Sequence, residues 1–477
     1  MVTRARRNRN DASTVQAAVA AGHPATVEAG VEILSDGGSA ADAAVAASLA
    51  SCVAETVMTG LLGGGHAIYF DASSGRARNL DCFVAVPGLG LKPRRHVDLV
   101  ELQVPFGAEL VHYAIGPASC AVPGLPAGLG DLHREHGRLP WARLVEPALR
   151  LARDGVEFPP AHAACLAMLA PVMTMDAGAR IYSPGGCLLQ AGERLRQPGL
   201  ATALEALGEE GPASVYEGTL AGALLALMEE RGGQVTHDDL QAYEARWCEP
   251  VEHAFAGTRI LTRAGLAPVG DTLARLPALR GLSAGERAVT LARTLASPEH
   301  DGDTTNLAIV DAEGNACIIT SSLGLGSGDF VPGLDLHLNS MLGEADLIRG
   351  RLEPGERMSS MMSPLLALDE TGPALASGAA GGTRLRSALV QVVAGILDEG
   401  LAPDEAVTRP RLHPVDGLVN LEPGFGEDVV RALEEQGFEA REWPEPHHYF
   451  GGVSVVTRAG AAGDPRRSGS AATLPLS

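Results

Sequence analysis

Asp303–Ser322, with the sequence DTTNLAIVDAEGNACIITSS, predicts two strands joined by a tight turn. Apolar residues supply both halves of the stretch. The segment Asp311–Gly314 between them combines acidic residues with a glycine, as is typical of a turn between paired strands. We therefore expect a β-hairpin in this part of the chain.

Two threonines, Thr304 and Thr305, stand where the first predicted strand begins. A hydroxyl at this position would be held at the rim of a sheet. A cut before Thr304 would also place a free α-amine beside that hydroxyl, and an N-terminal threonine whose own amine acts as base is an established nucleophile. The tripeptide Asp303-Thr304-Thr305 is also typical of an ordinary turn that leads into a strand. Whether Thr304 is a nucleophile therefore has to be judged from the rest of the chain.

The composition is that of an acidic protein with enough apolar residues for a large core. The 477 residues include 37 basic and 58 acidic side chains, a formal net charge of −21, and 45% are hydrophobic. Such a surface repels nucleic acid and anionic membranes, so we expect neither as a partner. The seven cysteines are scattered without tight ligand spacing, which predicts reduced thiols in a cytoplasmic protein and no metal site.

The rest of the chain predicts one layered domain after a short arm. Residues 1–15 are basic, but no apolar segment follows them, which predicts a disordered arm rather than an export signal. Helical and strand patterns then alternate without a dinucleotide-binding fingerprint, which favours an α/β protein with a largely antiparallel sheet. Residues 263–303 are predicted to be loop-rich and to end in an exposed acidic segment suited to cleavage.

Ordered motifs along the chain are similar to those of one known family. They are Gly22-His23-Pro24, Ala29-Gly30, Gly37-Gly38, Asp42-Ala43-Ala44, Glu55, Gly63-Gly64-Gly65, Gly137–Trp141, Glu146-Pro147-Ala148, Thr304-Thr305, Val310-Asp311, Gly314-Asn315-Ala316, Asn339, Ser363-Pro364, Gly381–Arg384, Arg409-Pro410-Arg411, His413 and Asp464–Arg467. Together they resemble the γ-glutamyltranspeptidase family of N-terminal nucleophile hydrolases, from about residue 20 to 472. The resemblance implies a four-layer αββα sandwich.

The resemblance also implies a maturation step. The precursor would cut itself between Asp303 and Thr304 into a large subunit, residues 16–303 behind the arm, and a small subunit, residues 304–477. The two fragments would stay together as one integrated domain, and a homodimer is compatible with this arrangement. The remaining partner would be a small-molecule substrate, and the chemistry needs no cofactor.

Catalytic roles follow from the same resemblance. Thr304 Oγ would attack an acyl carbon, with its new α-amine as general base. Gly381 and Gly382 match the positions whose backbone N–H groups form the oxyanion hole. Ser322 stands where the family has a threonine that hydrogen-bonds the nucleophile region, and Thr305 matches the second threonine of the motif. Asn306 replaces the usual histidine.

The substrate-binding positions depart from the family pattern. The arginine that grips the substrate α-carboxylate falls on Phe83, which cannot replace a bidentate guanidinium. The aspartate that holds the α-amino group aligns with Glu344, and a Ser-Ser pair aligns with Ser360 and Met361. An asparagine of the same pocket falls on Gly324. These changes predict a substrate without the free glutamyl head group and an apolar or aromatic acyl part.

Several functional interpretations are open at this point. The first is a self-processing hydrolase or acyltransferase that cleaves an amide or a related acyl bond. Hydrolysis of a C–C bond next to a carbonyl, in a natural-product pathway, begins with the same attack on a carbonyl carbon and is not separated by sequence. A third is a homologue that never matures and serves as a binding or scaffold protein. The last is an ordinary α/β metabolite-binding domain, which would make the motifs coincidental.

Overall fold

A computed structural model describes residues 17–91, 99–106, 109–296, 304–382 and 384–474. The predicted arm and Asp303 lie outside these ranges. The helices are α1 (Pro24–Ser35), α2 (Ala40–Ala54), α3 (Leu125–His136), α4 (Trp141–Asp154), α5 (Pro160–Met173), α6 (Gly178–Tyr182), α7 (Pro198–Glu210), α8 (Thr219–Arg231), α9 (His237–Ala242), α10 (Val269–Arg275), α11 (Ala284–Leu295), α12 (Arg384–Leu397), α13 (Pro403–Thr408) and α14 (Glu427–Glu434). The strands are β1 (Ala17–Ala21), β2 (Gly64–Asp71), β3 (Arg76–Cys82), β4 (Val100–Phe106), β5 (Glu109–Ile115), β6 (Val156–Glu157), β7 (Arg194–Leu195), β8 (Arg246–Cys248), β9 (Val251–Phe255), β10 (Thr258–Thr262), β11 (Thr305–Val310), β12 (Ala316–Ser322), β13 (Phe330–Val331), β14 (Leu336–His337), β15 (Leu365–Asp369), β16 (Gly372–Ala380), β17 (Leu412–Val415), β18 (Leu418–Leu421), β19 (Glu439–Glu442), β20 (Gly452–Thr457), β21 (Gly460–Gly463) and β22 (Ser470–Leu474).

The predicted hairpin forms the centre of the first large sheet. β11 and β12 pair antiparallel, from Thr305 opposite Ser321 to Val310 opposite Ala316. The turn is closed by Asp311, whose carboxylate accepts the backbone N–H groups of Glu313 and Asn315 at 3.1 and 2.9 Å. The seven strands of this antiparallel sheet follow the order β22-β1-β11-β12-β2-β3-β8. The hairpin prediction is confirmed.

A second antiparallel sheet packs face to face on the first. Its strands follow the order β21-β20-β16-β15-β10-β9. Side chains from both sheets interdigitate in the space between them, including Ile68 and Ile318 from the first sheet and Leu366 and Val456 from the second. Because many of the intervening residues are alanines, the two sheets can approach closely.

Helices cover the outer face of each sheet. On the first sheet, α2 packs against β11 and β12 and against α1, and a capping box between Ser39 and Asp42 fixes its start. Every residue of α2 is buried. Because no face of this helix meets solvent, its sequence is not amphipathic. On the second sheet, α10 and α12 supply the outer layer and α11 packs against them. The predicted four-layer αββα sandwich is confirmed.

Two parts of the fold differ from the sequence prediction. The segment 263–303 is not loop-rich over its described part, because it contains α10 and α11. The second of these begins at a capping box between Ser283 and Glu286, a signal present in the sequence. The sequence also did not predict the edge strand β22 and its neighbour β1. Their alanine-rich sequences have low strand propensity, and they become strands only because they pair with each other and with β11.

No helix among the described residues is both long enough and apolar enough to cross a membrane.

Candidate active site

Thr304 lies directly before β11, with 6% of its surface exposed, and separates two small cavities. The front cavity lies toward Phe83, Glu344 and Met361. The rear cavity lies toward Glu55 and Arg467. A residue between two cavities can face a bound acyl group on one side and a supporting network on the other.

The front cavity brings together most of the predicted site residues. Its lining includes Phe83, Thr304, Ser322, Glu344, Ser360, Met361 and Gly382. These residues come from separate parts of the chain, so their convergence is a property of the fold and not of sequence proximity. Thr305 points elsewhere and lines the rear cavity together with Asn306.

Gly381 and Gly382 form a turn between β16 and α12 that only glycine adopts easily. Their φ angles are +129° and +59°. A Cβ atom on Gly381 would lie 2.7 Å from Gly451 Cα. The backbone of the loop before β20 therefore packs directly on this turn, and the turn reaches the front cavity through Gly382.

The second threonine of the pair is bound to a buried carboxylate. Thr305 Oγ1 donates a hydrogen bond to Glu55 Oε2, and Thr26 Oγ1 donates to Glu55 Oε1 at 2.7 Å. Burial raises the pKa of Glu55 to about 7, against the opposing effects of the two hydroxyls and of Arg467. In the sequence, Glu55 is recognisable only as a motif residue. The spacing along the chain gives no signal for its contact with Thr305.

The end of β12 is fixed by hydroxyl contacts. Ser322 Oγ accepts the backbone N–H of Gly324 at 2.9 Å, and Ser321 Oγ lies 3.0 Å from Thr59 Oγ1. A Cβ atom on Gly324 would lie 2.4 Å from Glu344 Oε1. The absence of a side chain at Gly324 therefore leaves room for the Glu344 carboxylate.

Apolar side chains dominate the rest of the front cavity. Phe83, Met341, Leu347, Met361, Met362 and Leu385 contribute to its wall. Among the described residues that line it, Glu344 is the only one with a formal charge. Such a cavity suits an apolar group with one cationic or hydrogen-bond-donating substituent.

Two arginines lie close to this wall and donate hydrogen bonds to backbone carbonyl groups within it. Arg357 Nη1 donates to the carbonyl oxygen of Phe83 at 2.6 Å, and Arg263 Nη1 donates to that of Ser360 at 3.0 Å. Phe83 is 1% exposed, and its ring stacks on His66 at 5.6 Å. Neither guanidinium is among the described groups that line the front cavity.

Within the described ranges, no group of three His, Cys, Asp or Glu side chains is arranged to hold a metal ion.

Comparison with known proteins identifies the family. The family model for gamma-glutamyltranspeptidase matches residues 26–284 and 282–474, most of the chain. The chain belongs to the gamma-glutamyltranspeptidase family. Among curated relatives, the acylase ACY 1 proenzyme of Pseudomonas sp. (strain V22) is 28% identical over 500 residues, which cover 92% of this chain and 89% of the relative. Glutathione hydrolase 5 proenzyme of Rattus norvegicus is 27% identical, covering 97% and 93%.

A solved structure shows that the fold is shared within these enzymes. Cephalosporin acylase from Bacillus halodurans superposes with a TM-score of 0.80, at 22% identity, over 99% of this chain and 98% of the acylase. The gamma-glutamyltranspeptidase family thus includes relatives named as acylases and relatives named as glutathione hydrolases. The protein is therefore a hydrolase-family enzyme of the N-terminal nucleophile fold.

Proposed function

We propose that this protein matures by cleavage before Thr304 and then hydrolyses an amide bond through a Thr304 acyl-enzyme. The observation that carries the proposal is the position of Thr304 at the start of a central strand, beside a cavity and close to the Gly381–Gly382 turn. Names of relatives as proenzymes support the maturation step. The products would be residues 1–303 and the 174 residues (477 − 303) from Thr304 onward.

The chemistry needs only groups of this chain. Thr304 Oγ attacks the carbonyl carbon of the substrate, while the new α-amine accepts its proton. The backbone N–H groups at Gly381 and Gly382 stabilise the negative charge that forms on the carbonyl oxygen. The amine leaving group departs with a proton, and water then attacks the acyl-enzyme to release the acid. Ser322 and Thr305 hold the strand ends that present the nucleophile.

We propose that the acyl part of the substrate is apolar and lacks a free α-carboxylate. By the resemblance to the family, Phe83 stands where an arginine would bind such a carboxylate and Met361 stands where a hydroxyl is usual. Both side chains line the front cavity, which supports this proposal. Burying an unpaired carboxylate against these side chains would cost several kcal/mol, on the order of 3 or more. Glu344 offers a partner for an amino group on the acyl part.

The names of the relatives favour amide hydrolysis over cleavage of a C–C bond. The curated proteins that the chain resembles include an acylase and a glutathione hydrolase, and both names describe action on amide bonds. Both reactions share the acyl-enzyme, so a direct comparison of substrates separates them.

The test compares acyl p-nitroanilides with different acyl parts. Phenylacetyl and medium-chain aliphatic anilides should release p-nitroaniline faster than γ-glutamyl-p-nitroanilide does. Thr304→Ala should abolish this release, whereas Thr371→Ala, a change in an exposed turn away from either cavity, should not. A preference for the γ-glutamyl compound would overturn the apolar acyl assignment. Full activity in Thr304→Ala would show that Thr304 is not the nucleophile.

A further inference from the structure

Glu55 occupies a position that the proposed chemistry leaves without a role. It forms the C-cap of α2 and is 1% exposed. Both of its carboxylate oxygens accept hydrogen bonds from threonine hydroxyls, one from Thr26 on α1 and one from Thr305 at the start of β11. The carboxylate therefore ties two outer helices to the strand that begins one residue after the proposed nucleophile.

We propose that Glu55 is a positioning residue that fixes the start of β11 through Thr305 and so orients Thr304 for both self-cleavage and turnover. The inference rests on the proposed function of Thr304. In this proposal Glu55 does not contact the substrate. Glu55 lines the rear cavity, whereas the substrate would bind in the front cavity on the other side of Thr304.

The backbone around this contact is shaped to admit it. A Cβ atom on Gly22 would lie 2.3 Å from Glu55 Oε2 and 3.0 Å from Thr305 Oγ1. The Glu55 side chain is buried, and hydroxyl groups bind both of its carboxylate oxygens. Oε2 therefore has little freedom to move away from an added Cβ atom. The space left by this glycine is filled by the carboxylate and hydroxyl pair.

The contacts are strongest with an ionised Glu55. A carboxylate accepts a charge-assisted hydrogen bond from each hydroxyl, whereas a protonated carboxyl keeps acceptor capacity but makes weaker, neutral hydrogen bonds. Burial raises the pKa of Glu55 to about 7, while Thr305, Thr26 and Arg467 lower it. At pH values below this pKa the carboxyl gains a proton, and its hydrogen bonds to the two hydroxyls lose their charge assistance. The contact with Thr305 is therefore weakened as the pH falls through about 7.

Burial keeps three other ionisable groups around Glu55 in their uncharged forms near neutral pH. Cys52, one turn earlier in α2, has its pKa raised to about 12 by burial. His162 of α5 has its pKa lowered to about 3 by burial and by His23. The pKa of His23 itself is also lowered, again mainly by burial. All three are therefore uncharged near neutral pH.

Two charged groups face Glu55 from the turn before β22. Arg467 lines the rear cavity and favours the ionised carboxylate. Asp464 lines the same cavity but is paired with Arg411. With these charges fixed, Glu55 is the described rear-cavity side chain that titrates near neutrality.

The test uses variants that keep the shape of each partner. Glu55→Gln removes the charge, Thr305→Val removes the hydroxyl with little change of volume, and Thr305→Ser keeps the hydroxyl. Glu28→Gln, at an exposed position on α1, serves as the matched control. Self-cleavage is followed by intact mass against time, and kcat and KM of the mature enzymes are measured from pH 5.5 to 9 with the best anilide substrate.

Loss of a hydrogen bond to a charged group predicts that Thr305→Val and Glu55→Gln cut themselves about 10- to 100-fold more slowly. Their kcat should fall by a similar factor while KM stays within about twofold, because the front cavity is untouched. Thr305→Ser and Glu28→Gln should behave like the wild type. In the wild type, the α-amine, with an ordinary pKa of about 7.7–8.0, and Glu55 both shape the acid limb. In Glu55→Gln only the amine ionisation should remain.

Three results are decisive. If Glu55→Gln and Thr305→Val cleave themselves and turn over like the wild type, with an unchanged acid limb, the positioning role is wrong. If Glu55→Gln fails to fold, the contrast between Thr305→Val and Thr305→Ser decides alone, and equal rates for these two would overturn the role. If the wild type itself stays uncut, the proposed function fails, and the role of Glu55 falls with it.

Discussion

Replacement of Gly381 by alanine tests the proposed oxyanion turn. Gly381 has a φ of +129°, a region that alanine adopts only with strain of about 1–3 kcal/mol. The added Cβ would lie 2.7 Å from Gly451 Cα, so one of the two backbone segments must move. Gly382 follows directly in the chain and lines the front cavity. A displaced turn therefore moves the donors away from the developing charge.

Gly372→Ala provides the matched control. Gly372 is the first residue of β16, directly after the turn from β15. It has a φ of +110°, and its added Cβ meets nothing within 4 Å. Both variants should lose about 1–3 kcal/mol of unfolding free energy from backbone strain. Gly381→Ala should lose a further 1–3 kcal/mol, approximately, from the contact with Gly451. Loss of one oxyanion donor predicts a fall in kcat of about 10²- to 10³-fold for Gly381→Ala alone.

Chemical unfolding and steady-state anilide hydrolysis measure the two effects separately. The kcat of Gly372→Ala should remain within about twofold of the wild type, since this turn is remote from both cavities. The reasoning is refuted if Gly381→Ala has the stability and the kcat of Gly372→Ala. That result would mean that the turn tolerates a side chain and contributes nothing to the transition state.

Two further substitutions test the front cavity and the ion pair behind the rear one. Phe83→Arg should lower the KM for γ-glutamyl-p-nitroanilide, and an unchanged KM would contradict the pocket assignment. The same change should destabilise the fold by about 3 kcal/mol, because a third guanidinium joins Arg263 and Arg357 around Asp81. Asp464→Asn should cost about 3–5 kcal/mol, because it leaves the buried Arg411 unpaired. Burial raises the pKa of Asp464, but Arg411 and Arg466 hold it below its ordinary value. The pair's contribution is thus present at neutral pH and is lost on acidification below about pH 4, so in denaturant unfolding from pH 7 to 3 the stability difference between the wild type and Asp464→Asn should shrink at the acid end.

Local signals predicted the centre of the fold. The hairpin around Asp311 and Gly314 was predictable because turn residues and apolar strands are adjacent in sequence. The capping box of α2 was predictable for the same reason, since all of its partners lie within four residues. The front cavity could be predicted only through resemblance to a family, because its residues are separated by up to several hundred positions.

Contacts between distant segments explain what the sequence did not predict. β1 and β22 have the alanine content of helices and become strands through pairing with each other. Glu55 and Thr305 are 250 positions apart, and no spacing rule connects them. The helices within residues 263–303 are a different case, because a local signal for the second of them, the capping box at Ser283, is present in the sequence.

The most direct test of the central claim is the intact mass of the purified wild-type protein after incubation at neutral pH, with Thr304→Ala in parallel. We expect the wild type to give two chains, the smaller of which contains 174 residues (477 − 303) and begins at Thr304 with a free amine. Thr304→Ala should remain one chain. An active wild-type protein whose backbone is intact before Thr304 would contradict the account.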